Sequence, residues 1–178
     1  ASTTEKTIAS SKPSQSLISD FEQAKISSFY GAGWNISTDA QMNGTSSAEM
    51  TLVKPGANQS IAALEISGEV KAGFSFPWAG VNFNPGTKES PNVDYSRAKE
   101  LVFWAKGDGR TYNVMAFSST AAGIPPTQTF IAGPEWQEIR LPLKGFDGLE
   151  LTNVTDFSFN AGMPEGSFRF MIDNVEIK

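Results

Sequence analysis

Gly166-Ser167-Phe168-Arg169-Phe170-Met171-Ile172-Asp173-Asn174-Val175-Glu176-Ile177 alternates large apolar and polar side chains, the pattern of a strand with one buried face. Its apolar phase changes once: Phe168, Phe170 and Ile172 share one parity, Val175 and Ile177 the other. The change predicts a bulge or bend at Asp173-Asn174, two residues whose short polar side chains bond locally and tolerate unusual backbone angles. So strong a strand belongs in the middle of a sheet rather than frayed at its rim.

Outward from this stretch, the chain reads as roughly ten or eleven short strands separated by turn signals, with no long helix. The first strand falls at 17–22 and a second at 34–38. Segments 48–53 and 61–70 make a hairpin around Pro55-Gly56. The aromatic run 74–83 contains Pro77, which lacks a ladder donor and so predicts an edge strand or a bulge. A single helical turn is expected at 95–100. In 101–105, Leu101, Phe103 and Ala105 share a face and Trp104 points the other way. The glycines of Lys106-Gly107-Asp108-Gly109-Arg110 predict a hairpin connection into 112–118, and no helix follows to make them a dinucleotide motif. Further strands are expected at 128–132, 136–141 and 156–161, with Trp136 in the core. This pattern predicts an all-β, two-sheet sandwich of jelly-roll type over residues 17–178, preceded by a Ser/Thr/Lys-rich tail or linker over 1–16.

Composition narrows the function. A chain of 178 residues suits one domain burying ~70% of its unfolded surface. The formal charge of −5 and pI near 4.8 offer no field for a phosphate backbone or an anionic bilayer, so neither nucleic acid nor a membrane is expected as partner. Cysteine is absent, which removes disulfides, thiolate metal sites and Cys nucleophiles. Histidine is absent too, and with it the Ser-His-Asp triad and His-ligated zinc.

Two sites remain for chemistry. Glu22, the loop around Asn43 to Ser46, and Asp173 supply oxygen ligands of the kind calcium takes, and the first and last strands would bring them together. The competing reading is that Asp173-Asn174 only caps a bulge and Glu22 is merely exposed. Trp78 and Trp104 are candidate platforms for a sugar ring, with Asn82, Gln128 and Asn160 as hydrogen-bonding partners for hydroxyls; the alternative places both tryptophans in packed faces. Most of the 19 acidic residues sit in loops or at outward strand positions and read as solvated surface rather than a catalytic pair.

Asn43-Gly44-Thr45-Ser46-Ser47-Ala48, then Gly107-Asp108-Gly109-Arg110-Thr111-Tyr112, then Trp136 through Leu141-Pro142 to Phe146, then 168–173, resemble in order the complex I intermediate-associated protein family of the 30-kDa class. The layout is also similar to family-11 carbohydrate-binding modules, which share an opening Asp-Phe-Glu, here Asp20-Phe21-Glu22, and a closing Asp-Asn, here Asp173-Asn174. The first resemblance implies a galactose-binding-like jelly roll acting as a non-catalytic interaction or assembly domain. The second implies β-glucan binding on the concave face of one sheet, with calcium bracing the sandwich, although this chain is poorer in tyrosine than those modules. The expected function is therefore a non-catalytic accessory domain that recognises a glycan or a partner protein and is tethered to a catalytic domain such as a hydrolase. An assembly or chaperone-type surface and a carboxylate-based hydrolase are the alternatives. The expected location is secreted or periplasmic; no hydrophobic signal segment is present, so the sequence would then be a mature or excised form.

Overall fold

The computed structural model describes residues 10–13, 15–119 and 124–178. Among them the strands are β1 (Leu17–Ser19), β2 (Gly33–Thr38), β3 (Ser47–Val53), β4 (Ala63–Val70), β5 (Ala79–Asn84), β6 (Glu100–Gly107), β7 (Thr111–Ser118), β8 (Thr127–Ile131), β9 (Gln137–Pro142), β10 (Val154–Ala161) and β11 (Gly166–Ile177). They form two antiparallel sheets, one in the order β3-β4-β11-β6-β9 with β1 also on β11, the other in the order β2-β5-β10-β7-β8. The fold is an all-β jelly-roll sandwich, as the strand pattern predicts.

β11 lies in the middle of the six-stranded sheet. One edge pairs with β6 from Phe170 to Ile177, while the other pairs with β4 from Gly166 to Ile172 and then with β1 at Val175 and Glu176. The register against β6 shifts between Asp173 and Glu176, and Asn174 takes φ 47°. This is the bulge required by the parity change, and it lets Phe168, Phe170, Ile172, Val175 and Ile177 all reach the core. Facing them from the other sheet are Trp34, Phe83, Tyr112, Phe130, Phe157 and Phe159, with ring pairs such as Tyr112–Phe170 at 4.1 Å and Phe103–Phe159 at 5.2 Å between centroids. Aromatic burial on this scale is the main source of stability in a sandwich without disulfides.

Several expectations are corrected. The run 74–83 is a strand only from Ala79, after Pro77, and β5 sits between β2 and β10 rather than at an edge. The 107–110 turn does not close a hairpin: β6 and β7 belong to different sheets, so this turn carries the chain across the sandwich. The helical turn expected at 95–100 is reduced to one hydrogen-bonded turn, Ala98 N–H to Tyr95 O at 3.0 Å, and Tyr95 is buried with its Oη 2.9 Å from Tyr30 Oη. Trp136 is half-buried and outside the core. Part of the expected tail is ordered against the domain, since Ser11 pairs with Val93 through Ser11 N–H to Asn92 O at 3.0 Å and Asp94 N–H to Ser11 O at 2.8 Å. The rest of the 1–16 expectation, over residues 1–9 and 14, lies outside the described residues.

Candidate functional site

The two outer faces of the sandwich differ in chemistry. On the six-stranded sheet, outward positions carry Glu49, Glu65, Lys106, Glu138, Arg140 and Arg169, joined by ion pairs at 2.6 Å between Arg169 and Glu65 and between Arg140 and both Glu100 and Glu138. That is an ordinary solvated surface. On the five-stranded sheet, the registers align Ser37, Gly80, Asn160, Asn113 and Thr129 in one cross-strand row and Asn35, Asn82, Ser158, Met115 and Thr127 in the next. Among the described outward strand positions of this sheet, only Asp156 is ionisable.

The amides of this face are bonded to one another. Asn35 Nδ2 donates to Asn84 Oδ1 at 2.8 Å, Asn82 Nδ2 to Asp156 Oδ2 at 2.8 Å, and Asn160 Nδ2 to Ser158 Oγ at 2.9 Å, while Asn113 Nδ2 lies 3.4 Å from Asn160 Oδ1. Each amide is thereby held in one orientation; Asn35, Asn82, Asn84 and Asn113 keep exposed surface and capacity for a further bond, whereas Asn160 and Ser158 are buried beneath the face. Trp78 continues the outward row of β5 at one end of the face, half-buried, its Nε1 donating to Ser37 Oγ at 3.3 Å and its ring set edge-on to Phe74. Phe117, opposite Asp156 on β7, stands half-buried at the other end. From the level of Trp78 to that of Asn84 is six residues, ~20 Å of strand. Two shallow depressions, of about 160 and 220 Å³, flank Lys12 and Pro13 elsewhere on the molecule. Neither touches the amide face.

Of the residues expected to contact a ligand, Trp78 and Asn82 are brought onto this one face with surface to offer; Asn160 has the outward parity of β10 but is fully buried, and its amide serves Ser158 Oγ rather than a ligand. Trp104 is not on this face: it lies opposite Asp173 and Glu138 on the outer face of the other sheet. Gln128 is not either, because it has the inward parity of β8 beside Val114 and spends its amide on Pro142 O at 2.8 Å, bridging the two sheets at their edge. Asn35, Asn84, Asn113, Asp156 and Phe117 belong to the face and went unnoticed in the sequence, where the only signal was Asn recurring at outward positions of successive strands.

The four residues expected to hold a metal also divide, to opposite ends of β3. Asn43 ends a short 3-10 turn with φ 67°, and Ser46 donates through both its N–H (2.9 Å) and its hydroxyl (2.8 Å) to the buried Asp39 carboxylate, which also accepts from Trp78 N–H at 3.2 Å. Asp39 thus fastens the β2–β3 connection to the start of β5. At the other end, Glu22 and Asp173 converge on Ser60. Glu22 accepts from Ser60 Oγ at 2.5 Å and from the N–H groups of Ile61 and Ala62. These donors, Ser60 first, hold its carboxyl below the usual range. Asp173 is fully buried, accepting from Ala57 N–H and Asn174 N–H, and burial pushes its carboxyl up to about 6 against the pull of those donors. Two carboxylates and a hydroxyl are hard oxygen donors of the right kind for calcium. Among the described residues no third carboxylate joins them.

The profile of the Complex I intermediate-associated protein 30 (CIA30) family matches residues 19–158. The chain belongs to that family. No curated protein matches this CIA30-family chain. Among solved structures it is similar to the family-11 carbohydrate-binding module of the cellulosomal cellulase Lic26A-Cel5E of Clostridium thermocellum, with TM-score 0.68, 17% identity, and coverage of 90% of this chain and 92% of that one. A family-11 module from Clostridium thermocellum in complex with a β-1,3-1,4-mixed-linked tetrasaccharide gives TM-score 0.66, 17% identity, and coverage of 91% and 94%. An exo-β-agarase gives TM-score 0.63 and 13% identity, with 92% of this chain matching 25% of the enzyme. These likenesses establish for the CIA30 domain the two-sheet jelly-roll fold.

Proposed function

We propose that this CIA30-family domain is a non-catalytic binding module that lays an extended neutral glycan across the outer face of its five-stranded sheet, between Trp78 and Phe117. The observation that carries the reading is the contrast between the two outer faces: one is laced with ion pairs, the other is built of amides and hydroxyls fixed by mutual hydrogen bonds. Amides and hydroxyls match sugar hydroxyls, and half-exposed rings supply apolar area at low entropy cost. Glycosidic hydrolysis by the usual route needs two carboxylates, and the described strand positions of this face provide one, which favours binding over turnover. The fold likeness to a module solved with a mixed-linked glucan fragment supports a β-glucan as the first ligand to try, and the agarase match, in which this fold spans 25% of the enzyme, supports a role tethered to a catalytic domain; a secreted or periplasmic setting is part of the same proposal.

A partner protein is the second reading, favoured by the family's description as complex I intermediate-associated and by exposed Phe76, Ile131 and Met163 at the Trp78 end. We also infer that Glu22 and Asp173 are where calcium would be held as a structural ion, beside the Ser60 hydroxyl. Affinity electrophoresis through soluble β-glucans tests the main reading. Retardation that is lost in Trp78→Ala and in Asn82→Ala, both still folded, supports it. If no polysaccharide retards the protein while a partner co-purifies, the glycan reading falls and the interaction domain stands.

A further inference from the structure

Asp156 is the one ionisable side chain among the described outward strand positions of the five-stranded sheet, and it stands on the central strand β10. Its environment is not that of a surface carboxylate neutralised by a cation. Oδ2 accepts from Asn82 Nδ2 at 2.8 Å and Oδ1 from Thr155 Oγ1 at 2.6 Å, both neutral donors. Each oxygen keeps acceptor capacity, and an ionised carboxylate is acceptor-only. The bond from Asn82 also turns that amide so that its oxygen remains available to a ligand on the same face.

Resting on the glycan reading above, we propose that Asp156 is the selectivity residue of the face, accepting hydroxyl donors from a neutral glycan and excluding glycans that carry carboxylate or sulfate groups. The acceptor pair fits two neighbouring hydroxyls of one sugar ring, and hydrogen bonds to an ionised acceptor are about twice as strong as neutral ones. No Lys or Arg occupies a described strand position of this face, so an anionic sugar placed there meets Asp156 without compensation. Like charges ~4 Å apart in water disfavour binding by about fivefold, an effect that salt screens over a Debye length of ~8–10 Å.

The test compares one β-glucan with its carboxymethylated derivative, using the full chain and the Asp156→Asn variant, in low and high salt. The wild type is expected to bind the neutral polymer about fivefold or more tightly than the carboxymethylated one. Salt should shrink that ratio, and Asp156→Asn should narrow it while weakening the neutral polymer. Equal binding of both polymers by the wild type, or an unchanged ratio in Asp156→Asn, overturns the selectivity role and leaves the glycan reading intact. Absence of binding to either polymer by the wild type overturns the glycan reading itself, and the role of Asp156 with it.

Discussion

The backbone N–H of Ala57 donates to Oδ2 of Asp173 at 2.9 Å, tying residues 116 apart in sequence at the point where β11 leaves β4 and takes up β1. The 54–62 turn fills the gap between those two strands, and Glu22 holds its far side through Ile61 and Ala62. Gly56 makes the approach possible. A Cβ there would lie 2.4 Å from Ala62 O and 2.5 Å from both Asp173 Oδ2 and Ser60 Oγ. Gly56→Ala should therefore destabilise the domain by ~1–3 kcal/mol, as overpacking against fixed atoms does, and urea denaturation measures it. An unchanged midpoint would mean that the turn is free to move away.

Calcium at Glu22 and Asp173 would bind the folded chain alone and so raise its stability by ~2.7 kcal/mol at a hundredfold excess over Kd. EDTA should lower the melting temperature, added calcium should restore it, and Asp173→Asn should abolish the difference. Identical melting in both conditions, with no metal in elemental analysis, disposes of the ion.

Phe170 is fully buried on the central strand and packs against Tyr112, Phe130 and Phe168. Phe170→Ala should cost ~3–5 kcal/mol through lost burial and the cavity left behind. Thermal or denaturant unfolding reads the loss directly, and a midpoint that does not move would remove this strand from the core.

All three tyrosines resist ionisation in the fold. Burial pushes Tyr30 up to about 12, and pushes Tyr95 and Tyr112 above the ordinary phenol range as well, the last helped by its bond to Asp108. Above pH ~10 the unfolded chain gives up phenolic protons that the folded chain keeps, so stability falls as pH rises from 10 through 12. Phenolate absorbance should emerge together with loss of structure, and Tyr30→Phe should move that transition to higher pH. A gradual titration centred near pH 10 in a still-folded protein would contradict the burial.

The sequence displays the fold through residues whose pattern depends only on their own strand. The alternation from Phe168 to Ile177 and its slip at Asp173-Asn174 are local facts, and they place β11 and its bulge. What the turn at Gly107-Asp108-Gly109-Arg110 encodes is a change of chain direction, which is the same whether the next strand joins its neighbour or crosses to the other sheet. The amide face was legible in part for a related reason. Asn35, Asn84 and Asn113 follow an aromatic residue just as Asn160 does, so nothing local separates the amides of this face from any outward polar position until five strands are set in register. Gln128 and Trp104 point away because parity fixes a side chain's face only once the sheet that owns the strand is known.

The position of β11 also orders events during synthesis. β4, β6 and β1 all hydrogen-bond to residues 166–177, and Leu17 meets Glu176 almost the whole chain away. Until that stretch has left the ribosome, three strands have an open edge each and the aromatic layer behind them has no lid. Contacts so distant in sequence make for slow closure, and open edges invite pairing with other chains in the meantime. A nascent chain halted short of residue 166 should therefore remain protease-sensitive and sticky, and acquire protection in a single step once the last strand is released.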